Sequence, residues 1–220
     1  MAAERRGLFV AFEGGDGAGK STQLRRLAAA LRAEGREVVE TREPGGAPGA
    51  EEIRRLLLEG EPGRWSPVTE LLLFNAARRD HVERVIAPAL ARGAVVLCDR
   101  FADSTRVYQG AAREAASHGL PGPSRELADR LHALVIGLEP DLTLIFDLDP
   151  AQALARGLGR GGAEVRFEKL GLAFHEGVRA RFRALAAERP ETRRLIDASG
   201  DPDAVFARVR AALGPLPAPA

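Results

Sequence analysis

Cysteine is almost absent from this chain of 220 residues, since Cys98 is the only one. A single cysteine excludes an internal disulfide and is typical of a reducing compartment. Because Cys98 lies in an apolar run, we expect a small buried hydrophobe. No apolar run approaches about 18 residues, and the first six residues leave no room for a signal peptide before an apolar segment begins. These features predict a cytoplasmic protein without a membrane partner.

The chain also has no large excess of positive or negative charge. The chain has 32 Lys and Arg against 31 Asp and Glu, for a net charge of +1. Such a balance predicts no electrostatic footprint for nucleic acid. Lysine itself is scarce: only Lys20 and Lys169 occur beside thirty arginines. A lysine retained in so arginine-rich a chain favours a position where a compact ammonium is needed.

Lys20 belongs to a glycine-rich segment that fits the phosphate-binding pattern G-x-x-x-x-G-K-[ST], called the P-loop. Glycines let the backbone wrap closely around phosphates, and the loop amides then form an anion-binding nest ahead of a helix N-terminus. We expect Lys20 to reach the β- and γ-phosphates and the Ser21 hydroxyl to ligate Mg²⁺. The predicted ATP-binding residues are Gly14, Gly15, Asp16, Gly17, Ala18, Gly19, Lys20, Ser21 and Thr22.

Strand-like and helix-like segments alternate along the chain, which predicts an α/β fold with a parallel sheet. The strands are expected at residues 8–12, 37–41, 94–99, 141–147 and 194–197, and helices at 22–33, 50–58, 70–91, 124–138, 150–156, 167–187 and 204–213. Together with the phosphate loop, this predicts a P-loop NTPase fold: five parallel strands with helices on both faces and a small lid segment. We expect one domain over 1–213, with the lid at about 156–167 and a frayed Pro-rich tail at 214–220.

The helix expected at 70–91 carries an apolar stripe, and Pro88 should kink it or end it early. Phe74 and Arg78 are four residues apart and so share a face. On periodicity alone, Phe74 is more often a core residue than a platform for a ligand.

A carboxylate, Asp99, ends the apolar strand at 94–99. This is the Walker B arrangement, in which a strand end faces the P-loop and its Mg²⁺. We therefore predict Ser21 and Asp99 as the metal ligands. A polar cluster follows at residues 100–110, and a stiff Pro-Gly-Gly loop at 42–46 follows the second strand.

Taken together, these motifs resemble thymidylate kinase of the bacterial type over nearly the whole chain. The motifs that carry the resemblance are the P-loop, Arg42-Glu43-Pro44-Gly45-Gly46, Leu73-Phe74 with Arg78, Asp99-Arg100-Phe101 with Ser104-Thr105, and Tyr108-Gln109-Gly110. That family phosphorylates dTMP to dTDP with Mg²⁺-ATP and is usually a homodimer. Phe101 stands where Tyr is commoner in the family.

The resemblance also implies roles for individual residues. Phe74 would stack on thymine, Arg78 would contact the base, and Arg100 would hold the monophosphate. Thr105 would read the pyrimidine ring, Tyr108 would exclude a ribose 2′-hydroxyl, and Asp16 would lie near the sugar 3′-hydroxyl. The full implied set of substrate-binding residues is Asp16, Glu43, Pro44, Phe74, Arg78, Arg100, Ser104, Thr105, Tyr108 and Gln109.

A glycine-rich arginine segment near residues 156–167 matches the family lid that closes over ATP. The P-loop carries no basic residue besides Lys20, so the lid is expected to supply a catalytic arginine. Arg160 is the first choice, because glycines flank it, with Arg156 and Arg166 as alternatives. Lys20 and Arg100 complete the predicted catalytic set.

Three other functions were considered. A kinase for another nucleoside monophosphate or for a deoxynucleoside is the nearest, but a neutral hydroxyl acceptor needs a general base, whereas Arg78 and Arg100 suit an anionic acceptor. A GTP switch needs N-K-x-D, and the single asparagine, Asn75, is followed by Ala. A motor or transporter ATPase usually has further domains for which 220 residues leave no space.

Overall fold

A computed structural model describes residues 7–61, 63–109, 123–157 and 171–216, without the side chains of residues 156 and 157. Its sheet consists of β1 (Phe9–Gly14), β2 (Val38–Arg42), β3 (Val95–Asp99), β4 (Leu142–Asp147) and β5 (Arg193–Asp197). The strand order is β2-β3-β1-β4-β5, and every neighbouring pair is parallel. The predicted five-stranded parallel sheet is confirmed.

The helices within these ranges follow the predicted order, with ends that differ by a few residues. They are α1 (Lys20–Ala33), α2 (Pro48–Leu58), α3 (Pro67–His81), α4 (Ala87–Ala91), α5 (Ala102–Tyr108), α6 (Arg125–Val135), α7 (Pro150–Gly157), α8 (Leu172–Glu188) and α9 (Pro202–Leu213). None of them is long and apolar enough to cross a bilayer.

Successive residues of β1 pack on opposite faces of the sheet, as strand geometry requires. Val10 and Phe12 belong to a core cluster with residues of α1 and α9. Phe9 and Ala11 belong to a second cluster, with residues between Val82 and Leu90 and with Phe101. Helices therefore cover both faces, as predicted. The lid segment lies almost wholly outside the described residues.

The helix predicted at 70–91 begins earlier and is less regular than expected. Ser66 caps it, since its Oγ accepts from the amide of Thr69 at 3.2 Å. Of the two outcomes expected at Pro88, a kink or an early end, the early end is wrong, because the helix continues to Ala91 after an irregular turn. The irregularity is a π-helical turn at Val82–Ile86, which includes Arg84. In a regular α-helix, the ring of Pro88 would clash with the backbone carbonyl of Arg84, four residues earlier.

The beginning of the expected tail contacts the domain. Leu216 packs against the cluster that contains α1 and α9. Residues 217–220 lie outside the described part of the chain.

Candidate active site

The P-loop joins the end of β1 to the start of α1, and neighbouring backbone approaches it closely. Gly14 and Gly17 adopt φ values of 128° and 76°. A Cβ at Gly14 would lie 2.4 Å from the carbonyl oxygen of Phe146, and one at Gly17 would lie 2.4 Å from that of Ala153. Both positions therefore require glycine for conformation and for space. The loop is held against β4 and α7.

Lys20 is the first residue of α1 and is buried. Its Nζ donates to the carbonyl oxygens of Gly14, at 3.1 Å, and Gly15, at 2.8 Å. Burial lowers the pKa of Lys20, and nearby Arg100 lowers it further, while the carboxylates of Asp99 and Asp16 oppose the change. The ammonium thus lies at the phosphate loop, among charges of both signs.

Ser21 and Asp99, the predicted metal ligands, are in contact. Ser21 Oγ donates to Asp99 Oδ2 at 2.5 Å, although 78 residues separate the two in sequence. A hydroxyl and a carboxylate are hard oxygen donors, and Mg²⁺ usually binds one or two such groups together with phosphate oxygens and water. The donor pair therefore fits Mg²⁺. Within the described ranges, no cluster of three or more His, Cys, Asp or Glu could hold a metal without a nucleotide.

One cavity beside the P-loop collects all ten predicted substrate-binding residues. The space between its walls, counted with the open solvent at its mouth, is about 650 Å³. Leu58 and Phe101 complete its lining, and the sequence analysis had assigned neither a role. The predicted members are Asp16, Glu43, Pro44, Phe74, Arg78, Arg100, Ser104, Thr105, Tyr108 and Gln109.

Arg100 is held in an unusual conformation at one end of this cavity. Its φ of 70° is the only positive value at a non-glycine residue in the described ranges. Its Nη1 donates to Ser104 Oγ at 2.9 Å and to the carbonyl of Gly14 at 3.2 Å, and its Nη2 pairs with Asp16. Burial raises the pKa of Asp16, but Arg100 and Lys20 outweigh it and leave the pKa below its usual range. Both charges are therefore present at neutral pH.

Arg78 occupies the other end, where almost all of its donors are committed. Nε donates to Glu43 Oε2 at 2.6 Å, and Nη2 donates to Thr105 Oγ1 at 2.9 Å and to the carbonyl of Phe101 at 3.2 Å. Nη1 is buried and has no hydrogen-bond partner. A buried donor without a partner is costly, and Arg78 lines the cavity in which a ligand would bind.

Glu43, which accepts from Arg78, is itself hydrogen-bonded to further polar groups. Glu43 Oε1 lies 3.0 Å from His81 Nδ1, and His81 Nε2 lies 2.7 Å from Thr41 Oγ1. Glu43 and His81 are both buried. Sequence reasoning missed His81. Its spacing of three from Arg78 on one helix could have indicated it.

Phe74 and Tyr108 present aromatic surface to the cavity. Phe74 is half-buried and belongs to none of the hydrophobic core clusters in the described ranges, although periodicity alone favoured a core role. Tyr108 packs near Phe174 and Phe182, and the guanidinium of Arg100 lies 5.4 Å from its ring centroid. Because Phe74 is only half-buried, its ring is available for stacking.

A second cavity adjoins the P-loop at Gly15–Ala18 and shares Asp16 with the first. Its far side is formed by the end of β4, α7 and α8. Arg179 lines it and donates through Nε to Asp147 Oδ1 at 2.5 Å. His175 also lines it, and its buried Nε2 has no hydrogen-bond partner. Neither residue belongs to a motif recognised in the sequence.

The three predicted catalytic arginines of the lid are not among the described side chains. Arg160 and Arg166 lie outside the described residues, and so does the side chain of Arg156.

Comparison with known proteins decides the family. A family model described as thymidylate kinase matches residues 12–209. The chain belongs to the thymidylate kinase family. Thymidylate kinase of Ruegeria pomeroyi is 60% identical over 203 residues, which is 92% of each chain. That of Caulobacter vibrioides is 56% identical over 203 residues, covering 92% of this chain and 94% of its own length.

The fold comparison agrees. The crystal structure of thymidylate kinase from Ehrlichia chaffeensis superposes with a TM-score of 0.71 at 33% identity, covering 94% of this chain and 99% of its own. The resemblance inferred from the motifs is therefore confirmed, and so is the fold class.

Proposed function

We propose that this protein transfers the γ-phosphoryl group of ATP to dTMP, giving dTDP and ADP, as a step in dTTP synthesis. One observation carries the proposal. Arg78, Phe74 and Arg100 line one cavity beside the phosphate loop, and Nη1 of Arg78 has no hydrogen-bond partner. Those three groups suit a flat base at one end and an anion at the other.

Arg100 binds the 5′-phosphate of dTMP in this proposal. Its planar fork matches phosphate oxygens, and it lies next to the P-loop through Gly14 and Asp16. An incoming phosphate competes with Asp16 for Nη2. The displaced carboxylate then lies near the sugar, where its acceptor oxygens suit the 3′-hydroxyl.

Thymine stacks on Phe74, and Arg78 donates to the base through its free nitrogen. Thr105 accepts from Arg78 with one lone pair, which leaves the other for the ring N–H of thymine. The ring of Tyr108 restricts the space beside the sugar and disfavours a ribose 2′-hydroxyl. Pro44 and Leu58 supply apolar surface to the same cavity.

The chemistry is a direct in-line displacement. An oxygen of the dTMP phosphate forms a bond to the γ-phosphorus as the bond to the β,γ-bridging oxygen breaks, and ADP leaves with that electron pair. The attacking oxygen is already anionic at neutral pH, so no general base is required. The protein contributes by positioning the two nucleotides and by neutralising the charge on their phosphates.

Lys20 gives up its hydrogen bonds to the carbonyl oxygens of Gly14 and Gly15 and neutralises negative charge on the transferring phosphoryl group. Ser21 and Asp99 would hold Mg²⁺, which would supply charge neutralisation at the phosphates. An arginine from the lid, with Arg160 as the first choice, neutralises the negative charge that develops in the transition state.

An ADP-release assay over a panel of acceptors tests this proposal. We expect dTMP to exceed AMP, CMP and thymidine in kcat/KM, and Arg100→Met to lose activity with dTMP. Faster reaction with AMP or CMP would favour the alternative, another monophosphate kinase, and faster reaction with thymidine would favour a nucleoside kinase.

We further propose a cytoplasmic homodimer, formed through apolar residues of the helix predicted at 70–91. Leu72 of α3 is 50% exposed, and Leu134 of the neighbouring α6 is 82% exposed. Two large apolar side chains exposed on adjacent helices favour an interface. Light scattering at micromolar protein should give twice the monomer mass, and Leu72→Glu with Leu134→Glu should give the monomer.

A further inference from the structure

A buried carboxylate, Glu13, lies at the end of β1 and plays no part in the reaction as described above. It is fully buried, and its Oε1 accepts from the amides of Phe101, at 2.8 Å, and Ser104, at 3.0 Å. Its Oε2 accepts from Ser104 Oγ at 2.7 Å. Three donors from one short segment of chain therefore converge on a single side chain from another strand.

That segment is the start of α5, which lacks a cap of its own. The N-cap residue is Phe101, whose side chain cannot accept a hydrogen bond, and the structure shows no side-chain cap from it. The first amides of a helix have no partner within the helix. Glu13 supplies the missing acceptor, because it takes the amide of the N-cap residue and that of the third helical residue, Ser104.

The same segment contains Arg100, directly before the N-cap. Its left-handed backbone is disfavoured for a side chain with a Cβ and persists only where the surroundings fix it. Two groups fix it here. The Arg100 amide donates to the carbonyl of Phe12 at 2.9 Å, and the next amide donates to Glu13. The turn is thus held between two consecutive residues of β1.

Ser104 links the cap to the guanidinium. Its Oγ donates to Glu13 and accepts from Arg100 Nη1 at 2.9 Å. A shift of the first turn of α5 would therefore move both the backbone and the side chain of Arg100. The first turn of α5 has one further anchor, since Asp103 accepts from Arg193 of β5 at 2.7 Å.

We propose that Glu13 is a positioning residue for the acceptor phosphate: by capping α5 from β1, it holds Arg100 in the conformation that directs its guanidinium into the cavity. This inference rests on the proposed function, because it takes Arg100 as the ligand of the dTMP phosphate. It assigns Glu13 an indirect role, without contact to substrate.

Two substitutions separate the cap from the charge. Glu13→Asp keeps the charge but withdraws the carboxylate by about one carbon–carbon bond, roughly 1.5 Å, which breaks contacts of hydrogen-bond length. Glu13→Gln keeps the length and the Oε1 acceptor but removes the charge, and its amide nitrogen replaces the Oε2 atom that accepts from Ser104. Val96→Ala is the control, because Val96 is buried in the cluster of the same sheet face and lies outside the acceptor cavity.

Calorimetric binding of dTMP and thymidine to each protein gives the readout. For Glu13→Asp we expect dTMP to bind about tenfold more weakly, which is about the net contribution of one hydrogen bond, with thymidine unchanged because it has no phosphate. Glu13→Gln should stay within about threefold of wild type for both ligands. The KM for dTMP should follow the same order, and the KM for ATP should not change.

Three results would overturn the inference: equal losses for dTMP and thymidine, an equal loss in Glu13→Gln, or an equal loss in Val96→Ala. The first and third would indicate general loosening, and the second would indicate that charge matters instead of the cap. If wild-type protein did not prefer dTMP to thymidine, the proposed function would fail. A crystal structure of Glu13→Asp would still test the cap, since a left-handed Arg100 in its original place would refute it.

Discussion

The substitution Glu13→Gln should change how stability depends on pH. Burial, together with the nearby carboxylate of Asp103, raises the pKa of Glu13 from an ordinary 4.5 to about 7, against the opposing influence of Arg100. Between these two values the folded chain retains a proton that the unfolded chain has lost. Folding stability contributed by this group is therefore present below pH 4.5 and is lost as pH rises towards 7. At about 1.4 kcal/mol for each pKa unit, the loss amounts to about 3 kcal/mol.

Urea denaturation of both proteins at pH 5, 6, 7 and 8 measures this effect, because every other titrating group cancels in the difference to first approximation. We expect the free energy of unfolding of Glu13→Gln to gain on that of wild type up to pH 7 and to stay level beyond it. The exposed Glu52→Gln should show no such gain. A flat difference for Glu13→Gln would mean that the carboxylate is ionised throughout, and the reasoning from burial would be refuted.

Three further substitutions test the site. Lys20→Ala should abolish phosphoryl transfer with the fold intact by circular dichroism, and near-normal turnover would refute the role of the P-loop. Phe74→Ala should weaken dTMP binding by roughly 1–3 kcal/mol, the usual range for base stacking, with ATP little affected. If that variant mainly unfolded, Phe74 would be a core residue. Arg160→Ala should lower kcat by about 10³-fold with little change in the KM for dTMP. Single-turnover kinetics on Arg156→Ala and Arg166→Ala would show whether the arginine has been placed on the wrong residue.

The layout of the sheet could be predicted from the sequence because its signals are local. Buried parallel strands appear as short apolar runs, such as the one ending at Asp99, and helices appear as periodic apolar positions. The exception was the helix around Pro88. A proline predicts an interruption, but whether the helix stops or widens into a π-helical turn depends on packing elsewhere in the fold.

The residues of the acceptor cavity could be named from motifs, whereas their supports could not. Glu13 and Ser104 are 91 residues apart in sequence, so no local pattern links them. The π-helical turn and the contact between His81 and Glu43 likewise depend on the tertiary arrangement. In the sequence, Glu13 lies between the strand expected at 8–12 and the P-loop, and no motif distinguishes it. Its importance becomes evident only when α5 is seen to lack a cap.

The most direct test of the account is a crystal structure with dTMP and a non-hydrolysable ATP analogue. We predict thymine stacked on Phe74 with Arg78 Nη1 donating to the base, the 5′-phosphate on Arg100, and the triphosphate along Gly14–Ser21 beside Lys20. A thymine bound elsewhere, or a 5′-phosphate that does not contact Arg100, would contradict the proposed function of this cavity.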